Sequence, residues 1–202
     1  TGKGDDTLTA MAKATGEQSA TARGIDGANG VINLGAGDDT LTAEARANVK
    51  GAIGSEDAIG IFGGVVNAGS GEDDIAARSN VRLVGDNGKS LAGGQGFGGG
   101  VEINLGDDDD TILGFGEASL DGGDGFDTLQ FEFSLEEFVD GGGTIEDGTF
   151  VFAGKVLETE NFEEFQFGVD FDTRTSPEAR SDSVQVFASL TELELAVDEF
   201  VF

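Results

Sequence analysis

The heptapeptide Gly35-Ala-Gly-Asp-Asp-Thr-Leu41 recurs with small changes along the first two thirds of this 202-residue chain. Its other copies begin at Gly2, Gly69, Gly106 and Gly123, so successive copies start 33, 34, 37 and 17 residues apart. Self-similarity of this kind is the sequence signature of a repeat architecture, in which each unit packs on its neighbours. The repeats therefore decide how the rest of the chain is interpreted.

The last interval is half of the others, which indicates a unit of about 17 residues in which every second copy is degenerate. The apolar residues that close the units are then Leu8, Ile25, Leu41, Ile59, Ile75, Leu91, Ile112 and Leu129. Evenly spaced aliphatic residues between Gly-rich turns predict an all-β fold, a parallel β-solenoid of about eight coils. A second strand in the coils is predicted at Val31-Ile32, Val65-Val66, Val81-Arg-Leu-Val84 and Val101-Glu-Ile-Asn-Leu105.

Each unit carries a charged residue two positions before its closing aliphatic residue. Along the chain these residues are Asp6, Arg23, Asp39, Asp57, Asp73, Lys89, Asp110 and Asp127. Carboxylates on successive coils, about 4.8 Å apart, would repel each other by about 3.5 kcal/mol at an effective dielectric constant of about 20. Arg23 and Lys89 would relieve this repulsion in two coils. Bound metal is predicted in the two runs that have no basic residue, which are Asp39, Asp57 and Asp73, and Asp110 and Asp127.

The chain has 40 acidic and 11 basic residues, a net charge of -29, 35 glycines, and neither histidine nor cysteine. The lack of histidine and cysteine excludes serine-histidine and cysteine-histidine nucleophile systems, and no enzyme is predicted. It also excludes zinc, iron or copper sites built on those ligands. With carboxylate as the charged ligand, Ca²⁺ is the expected cofactor, because it accepts about six to eight oxygen ligands, including backbone carbonyls. Binding to nucleic acid and insertion into a membrane are not expected of a chain this acidic, whose apolar runs are short.

The copy Asp121-Gly-Gly-Asp-Gly-Phe-Asp-Thr-Leu-Gln130 resembles the calcium-binding nonapeptide of RTX (hemolysin-type) proteins, Gly-Gly-x-Gly-x-Asp-x-aliphatic-x. The resemblance implies a parallel β-roll in which glycine carbonyls and aspartates bind Ca²⁺ between adjacent coils. Carried over by position, the ligands are Asp6, Asp39, Asp73, Asp110 and Asp127, with the carbonyls of Gly35, Gly37, Gly69, Gly71, Gly123 and Gly125. The neighbouring acidic residues Asp5, Asp38, Asp109 and Asp124 are assigned to the same predicted sites. Because every second coil is altered, the layout is also similar to repetitive calcium-binding surface proteins of cyanobacteria. The opposing interpretation is that Asp-Asp and Gly-Asp pairs only mark turns on a solvated face.

Phenylalanine is concentrated in the second half of the chain, where 14 of the 16 residues lie after residue 100. Phe131-Glu-Phe133, Thr149-Phe-Val-Phe152 and Asn161-Phe-Glu-Glu-Phe-Gln-Phe167 predict strands of a cap for the solenoid. The predicted organisation is a calcium-binding solenoid over residues 1–130, a Phe-rich β cap over 131–172 and a tail over 173–202. In the tail, the ending Asp198-Glu-Phe-Val-Phe202 predicts a strand, a type I secretion signal, or both.

Three hypotheses about function follow. The first is a secreted calcium-binding structural protein of the cell surface or extracellular matrix that associates with itself into a layer or filament. Its motivation is the first coil, whose open strand edge would pair with another chain, and the apolar tail is a candidate for that pairing. The second is a calcium-dependent adhesion module that binds cell-surface polysaccharide. The third is the non-catalytic C-terminal portion of a larger secreted RTX enzyme or toxin.

Overall fold

The structure, a computed structural model, describes residues 2–17, 20–50, 57–84, 90–91, 95–170 and 184–200. The described part of the chain is mostly β-strand, with two helices. In chain order, the elements are β1 (Gly2–Lys3), β2 (Thr7–Gly16), β3 (Thr21–Asp26), β4 (Val31–Ala36), β5 (Thr40–Lys50), β6 (Asp57–Phe62), β7 (Val65–Ser70), β8 (Asp74–Val84), β9 (Ser90–Leu91), β10 (Gln95–Asp107), β11 (Thr111–Leu113), β12 (Gly116–Asp124), β13 (Thr128–Phe131), α1 (Leu135–Asp140), β14 (Thr144–Glu146), β15 (Thr149–Phe152), β16 (Lys155–Glu160), β17 (Glu164–Phe167), β18 (Gln185–Phe187) and α2 (Leu190–Phe200).

The strands form two sheets that the chain visits alternately. Sheet A has the order β1-β4-β7-β10-β12-β16-β15-β14, and sheet B has the order β18-β17-β13-β11-β8-β5-β2. From β1 to β16 and from β2 to β17 all neighbouring strands are parallel. A third row of strands, which we call the branch, consists of β3, β6 and the beginning of β10. The predicted parallel β-solenoid is therefore confirmed.

The solenoid makes about four turns, not the eight coils that the 17-residue unit predicted. The first glycines of the repeats are paired on neighbouring strands, as Gly2 with Gly35, Gly35 with Gly69, Gly69 with Gly106 and Gly106 with Gly123. Each of the first three turns spans two predicted units, because its second half forms a branch strand. Leu8 thus lies beside Leu41, whereas Ile25 lies in the branch opposite Ile61. The fourth turn is half as long because β12 follows β11 directly.

A column of apolar side chains runs the length of sheet B and forms one wall of the core. Its members occupy equivalent positions on successive strands and are Leu8, Leu41, Ile75, Ile112, Leu129 and Phe165. All except Leu8 are at most 1% exposed. Full burial of such a side chain contributes about 1.5–3 kcal/mol, so the stacked column stabilises the solenoid as a unit.

The branch packs on sheet B through glycine. A Cβ atom on Gly60 would lie 2.7 Å from the carbonyl oxygen of Gly96 and 2.9 Å from the backbone nitrogen of Arg78. On the facing strands, Ala43 and Ala77 are buried. The backbones approach so closely that only small residues fit between them, which explains the abundance of glycine and alanine in the first three turns.

Phenylalanine rings pack together at the C-terminal end of the described solenoid. Phe131, Phe138, Phe150 and Phe167 are fully buried, and the ring centroids of Phe131 and Phe167 are 4.8 Å apart. Helix α1 begins at a capping box, in which Ser134 accepts from the N–H of Glu137 while the Glu137 carboxylate accepts from the N–H of Ser134. The alternating phenylalanines had predicted only strands in this segment.

The tail differs from its prediction in part. Strand β18 forms at Gln185–Phe187, but the predicted terminal strand is helix α2 up to Phe200, and the last two residues lie outside the described residues. Leu193 and Val197, four positions apart, are buried in the same apolar cluster as the phenylalanine rings. The helix forms because this spacing places both side chains on one face.

Candidate metal-binding turns

Five bends connect sheet A to sheet B on one side of the solenoid. We define them as bend 1 (residues 2–6), bend 2 (35–39), bend 3 (69–73), bend 4 (106–110) and bend 5 (123–127), and number the gaps between them 1 to 4. Bends 2 to 5 each begin with glycine for two reasons. Gly69 has φ of +127°, in the left-handed region, and a Cβ atom there would lie 1.9 Å from the carbonyl oxygen of Gly35.

The last residue of each bend belongs to a continuous hydrogen-bonded row, which we call the inner row. The N–H of Asp6 donates to Oδ1 of Asp39, and the same bond is repeated across each following gap and beyond bend 5. Donor–acceptor distances are between 2.7 and 2.9 Å. The row consists of Asp6, Asp39, Asp73, Asp110, Asp127 and Glu163. Each carboxylate thus extends the backbone hydrogen bonding of the sheet around the bend.

Four inner-row carboxylates are buried with one oxygen unsatisfied. Asp39, Asp73, Asp110 and Asp127 are at most 2% exposed. Their Oδ2 atoms have no hydrogen-bond partner among the described residues. A buried polar atom without a partner costs about 1–3 kcal/mol, and a charged one costs more, so a row of four requires an explanation.

A second row of carboxylates points in the opposite direction. In this outer row, the N–H of Asp38 donates to Oδ1 of Asp5 over 3.2 Å, and that of Glu72 to Oδ1 of Asp38 over 3.1 Å. The N–H of Phe126 likewise donates to Oδ1 of Asp109 over 2.8 Å. Inner-row carboxylates accept from the preceding bend and outer-row carboxylates from the following bend. Gaps 1, 2 and 4 therefore each hold two carboxylates, namely Asp5 with Asp39, Asp38 with Asp73, and Asp109 with Asp127.

Three carboxyl groups of the inner row have raised pKa values and are therefore difficult to ionise. Burial, together with the charges of Asp73, Asp127 and Asp108, raises the pKa of Asp110 to about 7. The same causes raise the pKa of Asp73 and of Asp127 to about 6, with burial as the largest. At neutral pH the carboxyl group of Asp110 is therefore close to half ionised, whereas those of Asp73 and Asp127 are mostly ionised, and either a proton or a cation would stabilise all three.

Other predicted metal residues have different positions. Asp57 lies in the branch opposite Thr21, outside the inner row, because each turn contributes only one bend to this side. Arg23 is also in the branch, where it bonds Asp26 over 2.9 Å and lies over the ring of Phe62. It therefore does not separate carboxylates of the row. Lys89 falls outside the described residues.

The predicted backbone ligands all lie in the bends. Gly37 and Gly71 follow the same pattern as Gly35 and Gly69, since a Cβ atom on Gly71 would lie 2.5 Å from the carbonyl oxygen of Gly37. Gly123 and Gly125 hold the corresponding positions in bend 5. Asp124 is exposed, and its carbonyl accepts from the N–H of Asp108 over 2.8 Å.

A row of amides, which was not predicted from the sequence, lies beside the bends. The side-chain nitrogen of Asn67 donates to Oδ1 of Asn33 over 2.8 Å, and that of Asn104 to Oδ1 of Asn67 over 2.9 Å. Asn161 continues the row by donating to Oδ1 of Asp121. The recurrence of asparagine two positions before the first glycine of bends 2, 3 and 4 was the available signal.

The two rows can provide oxygen ligands to cations in the gaps. No three carboxylates converge on one point among the described residues. Each gap instead combines carboxylates with the carbonyls of stacked bends, which is the mixed oxygen set that Ca²⁺ accepts. The unpartnered Oδ2 atoms and this donor chemistry fit the predicted metal.

Comparisons with protein-family models, with curated proteins and with solved structures found no match for this chain. Membership of the RTX family therefore stays a prediction from the motifs. Within the part of the chain that the structure describes, neither helix has the length and apolar character needed to cross a membrane.

Proposed function

We propose that this protein is a calcium-ordered structural solenoid without catalytic activity. The observation that carries the proposal is the inner row, in which four buried carboxylates each keep one oxygen without a hydrogen-bond partner. Ionised and without a counter-charge, such a row opposes folding. A divalent cation in each gap would balance the charge of two carboxylates and join adjacent bends.

The residues that would hold the cations differ slightly among gaps. Asp39, Asp73, Asp110 and Asp127 supply the buried carboxylates of gaps 1 to 4. Asp5, Asp38 and Asp109 supply the exposed carboxylates of gaps 1, 2 and 4, and glycine carbonyls of the bends complete the oxygen set. When bound, the cation supplies positive charge and directional oxygen coordination between turns.

We place the protein in a calcium-rich compartment, at the cell surface or in the extracellular matrix. Metal binding that completes a fold makes folding conditional on the metal. The chain would be destabilised by self-repulsion where free calcium is low and would reach its full stability after secretion. The phenylalanine cluster, closed by α1 and α2, would then act as the cap of the C-terminal end.

Chelation tests the calcium proposal. Removal of calcium with EDTA from the purified chain should lower its melting temperature and weaken the far-UV circular dichroism of β-structure, and added CaCl2 should restore both. MgCl2 at the same ionic strength serves as the control, because Mg²⁺ prefers rigid octahedral sites and retains its waters. A β-sheet spectrum that EDTA leaves unchanged, together with no calcium binding by calorimetry, would refute the proposal.

Self-association, the second part of the proposal, is supported by the edge of sheet B. Strand β2 is the last strand of that sheet in the described structure, it has ten residues, and Met11 on it is 74% exposed. A long strand edge is a template for pairing with another chain, so a second copy is the proposed partner, with cell-surface polysaccharide as the alternative. Sedimentation velocity should detect assemblies with calcium that Met11→Lys weakens. Monomers under both conditions would contradict association.

A further inference from the structure

Bend 4 departs from the other bends at its third residue. This position is Gly4, Gly37 and Gly71 in bends 1 to 3, with φ of +104°, +119° and +115°. In bend 4 it is Asp108, with φ of +84°. A residue with a side chain is disfavoured in this left-handed region, where glycine is accommodated without strain. The aspartate therefore has a local conformational cost that glycine in its place would remove.

The side chain of Asp108 extends back into gap 3. The N–H of Gly71 in bend 3 donates to Oδ2 of Asp108 over 3.1 Å. Two residues later in bend 3, the N–H of Asp73 donates to Oδ1 of Asp110 over 2.7 Å. Both carboxylates therefore lie between bends 3 and 4, where they accept hydrogen bonds from two N–H groups of bend 3 that are two residues apart.

The buried partner in this gap is an unsatisfied carboxylate. Asp110 is 1% exposed, and its Oδ2 atom has no hydrogen-bond partner among the described residues. In gaps 1 and 2, glycine stands where gap 3 has Asp108, so no carboxylate reaches back from that position. Glu72, at the outer-row position of bend 3, is exposed, and its N–H donates to Asp38 in gap 2.

We propose that Asp108 is a cation ligand specific to gap 3, where it supplies the second carboxylate that Asp5, Asp38 and Asp109 supply in the other gaps. The inference rests on the proposed calcium function and departs from the glycine that the RTX resemblance predicts at this position. Calcium affinity rises with the number of charged ligands in a site, and Asp108 gives gap 3 two hydrogen-bonded carboxylates, the number that gaps 1, 2 and 4 have. Asp108 thus lowers the local stability of bend 4 and raises the affinity of gap 3 for a divalent cation.

Calorimetric titration of the full chain with CaCl2 at fixed ionic strength tests this assignment. We expect Asp108→Asn and Asp108→Gly to weaken calcium binding at one site by about tenfold or more and to leave the affinity of the other sites unchanged. The matched control is Asp107→Asn, which removes the same charge from the adjacent exposed residue and should change the affinity of gap 3 by about twofold or less.

A second measurement separates lost ligation from lost folding. In EDTA, Asp108→Gly should melt at the wild-type temperature or above it, because glycine relieves the left-handed backbone, whereas a folding defect would lower the melting temperature. Wild-type binding that neither Asp108 variant weakens, or that Asp107→Asn weakens equally, overturns the assignment alone. No calcium binding by the wild type overturns the proposed function and this assignment together.

Discussion

Each buried aspartate of the inner row uses its two oxygens differently. Oδ1 of Asp110 accepts from the N–H of Asp73, which completes the backbone hydrogen bonding at the bend, while Oδ2 has no partner in the described structure. The hydrogen bond that Oδ1 accepts is structural and does not require the carboxyl group to be ionised. The free-energy cost comes from Oδ2, which is buried without a partner, and a proton or a metal ion can each reduce this cost.

This competition predicts the pH dependence of the metal-free protein. Burial raises the pKa of Asp73 and Asp127 to about 6 and that of Asp110 to about 7, above the 3.8 of an ordinary aspartate. Between pH 4 and 7, roughly, the folded state then holds protons that the unfolded chain has lost, so stability falls as pH rises through this window. Urea melts in EDTA should show a folded protein near pH 4.5 that is destabilised near pH 7.5.

Asp110→Asn tests the contribution of the unpartnered Oδ2 atom while keeping the hydrogen bond that Oδ1 accepts. The amide oxygen can still accept from Asp73, but the group no longer ionises. In EDTA at pH 7.5 the variant should be more stable than the wild type, and calcium should stabilise it less. Wild-type stability that rises from pH 4.5 to pH 7.5 in EDTA would mean that these carboxyls ionise freely in the folded state.

Among the elements of the fold, the repeated bends and strands were predictable from the sequence, whereas the helices, which lie outside the repeats, were not predicted. Five copies of one bend were sufficient to predict parallel strands and the inner row. The spacing could not show that one turn contains two units, because Ile25 and Leu8 are equally apolar and only packing assigns them to different rows. Both helices lie outside the repeats, although the Ser134 and Glu137 capping box was a readable signal.

The contact between the branch and sheet B is an element-scale feature with a sharp test. Gly60→Ala should destabilise the calcium-loaded protein by about 3 kcal/mol or more, because its Cβ atom would overlap backbone of two neighbouring strands. Gly2→Ala is the matched control, since nothing lies within 4 Å of a Cβ atom there, and it should cost about 1 kcal/mol or less. Chemical denaturation with calcium measures both, and equal effects would disprove the close backbone contact.

At the scale of the whole molecule, the charge of -29 has two components that respond to different ions. Exposed acidic residues repel one another through water, and this repulsion is screened by any salt. The buried carboxylates of the inner row are not screened by dissolved salt. Their charge is balanced only by an ion or a proton in the gap itself. Four bound Ca²⁺ would change the net charge only from -29 to about -21. Their effect on stability must therefore come from their positions in the gaps, not from neutralisation of the whole protein.

This separation predicts that sodium cannot replace calcium. In EDTA at pH 7.5, raising NaCl to about 1 M, where the Debye length is about 3 Å, should raise the melting temperature of the metal-free protein moderately. Saturating CaCl2 at low ionic strength should raise it further, and the increment due to calcium should persist in 1 M NaCl because the inner row is buried. Tetramethylammonium chloride at equal ionic strength is the control for screening without coordination. If NaCl alone reproduced the whole effect of calcium, the stabilisation would be general screening, and the inner row would be only a structural device of the bends.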